Sequence, residues 1–253
     1  MTNLIIAHFS YTGNTAYVAT QLATHLNAPC VNLIDEPLQE MASCQHVVIC
    51  FAIHAFCAPT PVVDQLKQLK VGQFQRISFI GVGCHESSLN QGVFRSLETL
   101  VSPKCQTLGV QAIIAMPLTL IKKVPDEKNR ECIQQAQQKI LTIKDAILTD
   151  TTRTLASPRG HQLLKRVGQL EQQAAKLFGL ELHATKDCVK CGRCWSECPM
   201  KNITPSNYQT PKFHFKCSMC LKCIYDCPKQ AIRPRVSTFI PIKGGYQLRR
   251  HLK

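Results

Sequence analysis

The chain has 253 residues, of which 45% are apolar, and a formal net charge of +14. That length exceeds one average domain and supplies enough apolar side chains for a sizeable core, which excludes a wholly disordered chain and points to two domains. The first residues do not combine a basic start, an apolar run and a small-residue cleavage site, because His8 interrupts the run from Leu4 to Ala7. The longest apolar run, Val47 to Ala58, contains His54 and falls short of the ~18 residues of a membrane span. A cytoplasmic protein without a membrane span is expected.

Residues 3–9 form a continuous apolar run that suits a central parallel strand, followed by a polar turn with one glycine. Ala16, Val18, Ala19, Leu22, Ala23 and Leu26 recur at helical spacing, with Asn14 or Thr15 placed to cap the start. Further strands are expected at Cys30–Ile34, His46–Ile53, Arg76–Val82 and Val110–Met116, with helices at Pro61–Leu69 and Leu89–Val101. Such alternation argues for an α/β fold, a parallel sheet with helices on both faces. Beyond Pro117, Cys132, Ile133, Ala136, Ile140, Ile143 and Ile147 outline a long helix that packs on the first domain. Ser157-Pro158 then opens a second helix, with a stripe of Leu163, Val167, Leu170, Ala174 and Leu177, ended by Gly179. The expected layout is a domain at 1–150, a helical linker at 151–183, a small cysteine-rich domain at 184–235 and a basic tail at 236–253.

Charge follows the same division. Residues 1–150 hold 11 basic and 11 acidic side chains, so residues 151–253 hold 19 and 5 and carry the whole excess. A basic surface suits nucleic acid, anionic lipid or an acidic protein, and is also an ordinary solvated face. No recognisable nucleic-acid-reading helix or RNA-binding motif accompanies it, so a redox protein partner with an acidic face is expected and nucleic acid is not.

Eight of the 15 cysteines lie between Cys188 and Cys227, and seven stand singly in the first 132 residues. Cys188, Cys191, Cys194 and Cys198 followed by Pro199, then Cys217, Cys220, Cys223 and Cys227 followed by Pro228, twice spell C-x2-C-x2-C-x3-C-P. Three thiolates two residues apart wrap a tight loop around one [4Fe-4S] cube, and the fourth, on the next helical turn, points away. Zinc would use four thiolates per ion and gives no reason for the third cysteine or its repetition. Disulfides suit a small secreted chain better than this one. The segment 185–235, with Asn202-Ile203 and Ala231-Ile232 after the motifs, resembles the bacterial dicluster ferredoxins. The resemblance implies two [4Fe-4S] clusters with exchanged fourth ligands. One takes Cys188, Cys191, Cys194 and Cys227, and the other takes Cys198, Cys217, Cys220 and Cys223.

Between the first strand and helix stands Ser10-Tyr11-Thr12-Gly13-Asn14-Thr15. Hydroxyls, a glycine and a helix N-terminus make a neutral nest for a phosphate monoester, and without the lysine of a nucleotide triphosphate loop a monophosphate fits better. Ser10, Thr12, Gly13, Asn14 and Thr15 resemble the FMN phosphate loop of the flavodoxins. That resemblance implies a doubly wound five-stranded sheet in the order 2-1-3-4-5, with the flavin ring against Ala52, Ile53, His54, Ala55 and Phe56 and against Gly83 and Cys84. Phe56 as core, His54 as a solvated loop residue and Cys84 as a structural thiol are the plainer readings. From end to end the chain is similar to bacterial fused flavodoxin–ferredoxin proteins, with Ala115-Met116-Pro117 after the fifth strand as a further likeness. This implies an electron carrier relaying single electrons between the clusters and FMN. The alternative is an FMN-dependent reductase of a small substrate fed by its own ferredoxin domain, and no catalytic residue is expected for the carrier.

Overall fold

Continuous apolar runs become the inner strands of a parallel sheet, because a strand covered by helices on both faces has no solvent side on which to place polar residues. The computed structural model describes residues 3–118, 124–238, 248 and 252. In chain order they form β1 (Leu4–Phe9), α1 (Asn14–Leu26), β2 (Cys30–Asn32), β3 (Cys44–Ala52), α2 (Thr60–Gln68), β4 (Phe74–Gly83), α3 (Gly92–Val101), β5 (Thr107–Ala115), α4 (Asp126–Leu148), α5 (His161–Glu181), β6 (Leu182–Ala184), α6 (Arg193–Ser196), β7 (Ile203–Pro205), β8 (Pro211–Phe213), α7 (Lys222–Tyr225) and β9 (Ile232–Pro234). The chain divides into two compact units, 1–116 with 131–168, and 117–130 with 169–253. The division falls inside α5.

In the first unit the five strands run parallel in the order β2-β1-β3-β4-β5. This is the doubly wound arrangement expected from the sequence. Ile6, Val47, Val48, Ile49, Cys50, Phe51, Phe79 and Ile80 are buried in its centre, with Phe51 edge-on to Phe79 and Phe94. One polar pair lies in this core. The Ser78 hydroxyl accepts the Val110 N–H at 2.9 Å and shares a hydrogen bond with His46 Nε2 at 2.8 Å. Burial first, then the Arg76 cation, lowers the His46 pKa to about 4. The free edge of β5 is covered by Arg153, which exchanges backbone hydrogen bonds with Gly109 and Gln111.

The second unit contains two antiparallel pairs, β6 with β9 and β7 with β8. Its core is Phe178, Leu182, Leu221, Ile224 and Ile232. The α5 stripe departs from expectation: Leu163, Leu170 and Leu177 are 66%, 72% and 62% exposed, whereas Gly168, Ala175, Phe178 and Gly179 are buried. The helix also runs past Gly179 to Glu181. Its glycines sit at close approaches rather than at its end. Of the expected basic tail at 236–253, residues 239–247, 249–251 and 253 lie outside the described residues.

Candidate functional site

The two cysteine motifs are built on one backbone plan repeated at a constant interval. Lys190 and Met219 (φ 58 and 54), Gly192 and Leu221 (82 and 59), and Lys201 and Gln230 (48 and 49) occupy equivalent left-handed positions. Such residues turn the chain sharply enough for three successive thiols to face one space, and a non-glycine residue adopts the conformation at a cost of roughly 1–2 kcal/mol. The fourth residue beyond the last cysteine of each motif closes the turn, Asn202 N–H reaching Cys198 Sγ at 3.4 Å and Ala231 N–H reaching Cys227 Sγ at 3.2 Å. Its carbonyl ties down the other half: His214 N–H donates to Asn202 at 2.9 Å, and Thr185 N–H donates to Ala231 at 2.7 Å.

The third cysteines, Cys194 and Cys223, ride on α6 and α7. Lys222 joins these helices through Glu197 at 3.0 Å and Asp226 at 2.8 Å, and Arg193 pairs with Glu197 at 3.6 Å. The indole of Trp195, the only tryptophan, lies against Gly192, 3.1 Å from where a β-carbon would stand.

A cavity opens among Cys194, Cys198, Cys217, Cys220 and Cys223. Burial, then neighbouring thiols, push Cys194 up to about 11 and Cys217 up to about 12, the Met219 N–H opposing the latter shift. Cys220 and Cys223 are also raised, burial being the largest cause. The neighbours acting on Cys194 include Cys188 and Cys191, whereas Cys198 acts on Cys217, Cys220 and Cys223. Cys198 thus lies near the second set, and so does Cys194, which also acts on Cys223 and lines the same cavity. Among the described residues no three Cys, His, Asp or Glu side chains are grouped to hold a single metal ion. Soft thiols disposed around a volume, with backbone N–H groups at the sulfurs, fit an iron–sulfur cube.

In the first unit, α1 begins without the side-chain cap expected from Asn14 or Thr15. Gly13 takes the N-cap position at φ 103, and no side chain caps the helix. Gly13 N–H instead donates to Ser10 Oγ at 3.1 Å, and Asn14 and Thr15 are 8% and 2% exposed. Polar side chains thus gather at the helix start, where backbone N–H groups and the macrodipole favour an anion. Tyr11 meets His54 edge-on at 5.9 Å, which brings this loop against the one after β3. That second loop is a tight hairpin. His54 and Cys57 exchange backbone hydrogen bonds at 2.9 and 3.0 Å, while Ala55 and Phe56 both have positive φ, 49 and 61. Gly83 and the exposed Cys84 follow at the end of the adjacent β4, with Ile53 N–H donating to Val82 at 2.8 Å.

Sequence reading missed what holds this hairpin. The Cys57 thiol donates to the Lys165 carbonyl at 3.6 Å, and Gly168 lies against the Ala55 carbonyl so closely that a β-carbon would overlap it. The signal was present as a lone glycine inside a helical pattern, which often marks a close approach.

Residues 181–228 match the family model of the 4Fe-4S dicluster domain. The chain fuses a flavodoxin-like fold to a dicluster ferredoxin domain. The dicluster domain gives the fused protein an electron-transfer role. Solved structures similar to its first unit include a flavodoxin, WrbA-like protein from Agrobacterium tumefaciens, at 8% identity over 60% of this chain and all of that one, with a TM-score of 0.41. The Trp repressor binding protein from Bacillus subtilis aligns at 12% identity over 53% of this chain and 95% of that one, TM-score 0.38. A flavodoxin from the domain Archaea aligns at 12% over 56% and 98%, TM-score 0.35. At these scores the fold statement rests on the strand order of the fused protein itself. No curated protein matches it. Among its described residues no helix is long and apolar enough to cross a membrane.

Proposed function

We propose that the protein relays single electrons between two [4Fe-4S] clusters and an FMN, and exchanges them with a redox protein partner. One cluster uses Cys188, Cys191, Cys194 and Cys227, and the other uses Cys198, Cys217, Cys220 and Cys223. The FMN phosphate sits at Ser10, Thr12, Gly13, Asn14 and Thr15, with the ring between Ala52–Phe56 and Gly83–Cys84. When bound, a cluster accepts or releases one electron at a time and a flavin one or two. The observation carrying this reading is the cavity that Cys198 lines together with Cys217, Cys220 and Cys223 of the second motif.

The chain's own part is positioning. The left-handed residues aim the thiols, the Met219, Asn202 and Ala231 N–H groups meet sulfur, and Leu221 and Phe178 keep water from the buried set. At the other site the Gly13 turn presents the start of α1 to a dianion. The contacts of Cys57 and Ala55 with α5 cover that side of the hairpin, which favours a carrier over a reductase with an open substrate pocket above the ring.

Anaerobic purification of the full chain should yield about eight irons and eight sulfides, four of each per cluster, and the protein should bind FMN in equal amount. Cys198→Ser should give the electron paramagnetic resonance spectrum of Cys220→Ser rather than that of Cys191→Ser. Stoichiometric zinc, or a Cys198→Ser spectrum matching Cys191→Ser, would overturn the cluster assignment. Protein that cannot be reconstituted with FMN would overturn the flavin half.

A further inference from the structure

The repeated backbone provides an internal comparison for every side chain around the clusters. Counterparts in the two ligand loops are Val189 and Ser218, each directly after the first cysteine of its motif. Val189 is 55% exposed, as a residue on the outside of a loop can be. Ser218 is 7% exposed, lines the cavity shared by Cys194, Cys198, Cys217, Cys220 and Cys223, and its Oγ has no hydrogen-bond partner. Burying a hydroxyl unpaired is costly, and such a group is expected to be satisfied by whatever fills the adjacent space. The nearest candidate is sulfur. Ser218 lies one residue after Cys217 and two before Cys220 in the same ligand loop, and all three line that cavity.

We propose that Ser218 is a potential-setting residue of one cluster only: its hydroxyl donates a hydrogen bond to the Cys220 sulfur of the cluster held by Cys198, Cys217, Cys220 and Cys223. This rests on the two-cluster reading above. A donor to a ligand sulfur draws off negative charge and favours the reduced, more negative state, so it raises the reduction potential. The first loop has no counterpart, since Val189 offers no donor. Two clusters on one backbone plan are thereby made unequal by one side chain, which gives electrons a preferred resting place within the domain.

The test is a dithionite titration of the loaded full chain, followed by electron paramagnetic resonance. Ser218→Ala should shift the midpoint that disappears in Cys220→Ser by about tenfold in the reduction equilibrium, about 59 mV more negative for one electron. Ser218→Thr should restore it, and Val189→Ala should move neither midpoint. As a measurement that needs no variant, transfer of the wild type to D2O should shift an Fe–S(Cys) stretching band in its resonance Raman spectrum, and Ser218→Ala should lose that shift. An unmoved midpoint in fully loaded Ser218→Ala, equal movement of both midpoints, or no deuterium effect in the wild type would overturn the role of Ser218. Wild type with iron for fewer than two clusters would instead overturn the reading on which it rests.

Discussion

Gly179→Ala should destabilise the loaded second unit although it places a better helix former inside α5. Alanine in a helix interior ordinarily gains about 1 kcal/mol over glycine. Here the new β-carbon would overlap the Cys217 β-carbon and stand 2.9 Å from the His214 carbonyl and 3.2 Å from Asn202 Nδ2. Cys217 Cβ and the His214 carbonyl are fixed to backbone and cannot rotate away, and both belong to the loop that delivers Cys217. Overpacking costs about 1–3 kcal/mol, and immovable neighbours put this site at the upper end. The net is a loss of about 2 kcal/mol, roughly a thirtyfold change in the folding equilibrium. The assay is urea unfolding of anaerobically prepared protein, followed by loss of visible cluster absorbance, with iron counted before unfolding. Gln169→Ala, on the exposed side of the same helix, sets the baseline. A Gly179→Ala protein with full iron and an unchanged or higher urea midpoint would refute the packing reasoning.

Gly168→Ala should act on the other unit. Its β-carbon would overlap the Ala55 carbonyl and approach Cys57 Sγ to 2.9 Å, displacing the 54–57 hairpin, so flavin titration should show FMN affinity reduced tenfold or more with iron content unchanged. Gly13→Ala meets open space but keeps φ 103, so its cost is conformational, roughly 1–2 kcal/mol, and should appear as weaker FMN retention on desalting. His46 predicts a pH dependence. Its pKa is about 4 in the folded chain against the ordinary histidine value of 6.5, so the unfolded state binds more protons between those values and stability falls as pH drops from 6.5 towards 4. The fall attributable to this group is at most about 3 kcal/mol. Histidine NMR should find one imidazole, absent in His46→Gln, titrating near 4; titration near 6.5 would contradict the burial of this ring beside Arg76.

The strands of the sheet were legible because burial on both faces leaves an uninterrupted apolar run. The runs at 46–53 and 76–82 differ from β3 and β4 only at their ends. The run at 30–34 shortened to β2 because an edge strand, half covered, makes fewer ladder bonds. The α5 stripe misled because periodicity identifies an apolar face without saying whether anything covers it. Gly168 and Gly179 have no side chain to count, so a face chosen for close backbone approach has no hydrophobic signature. At the cysteine motifs, spacing singled out eight thiols as candidate ligands, since a tight loop is a local property. The neighbours of Cys198 and the burial of Ser218 come from the meeting of two loops distant in sequence, which no spacing reports.

The lone tryptophan makes the two halves optically unequal. Trp195 follows Cys194 and lies on Gly192 in the first ligand loop, whereas Ile224 occupies the equivalent place in the second. A visible-absorbing cluster beside an indole drains its excited state, so ultraviolet emission from this protein should be dark while the first site is filled and brighten as that site empties. Filling or stripping of the second site should change the emission much less. Fluorescence then becomes a colour-blind witness to one cluster of the pair, able to time its assembly or its destruction by oxygen in a mixture where absorbance can only add the two together.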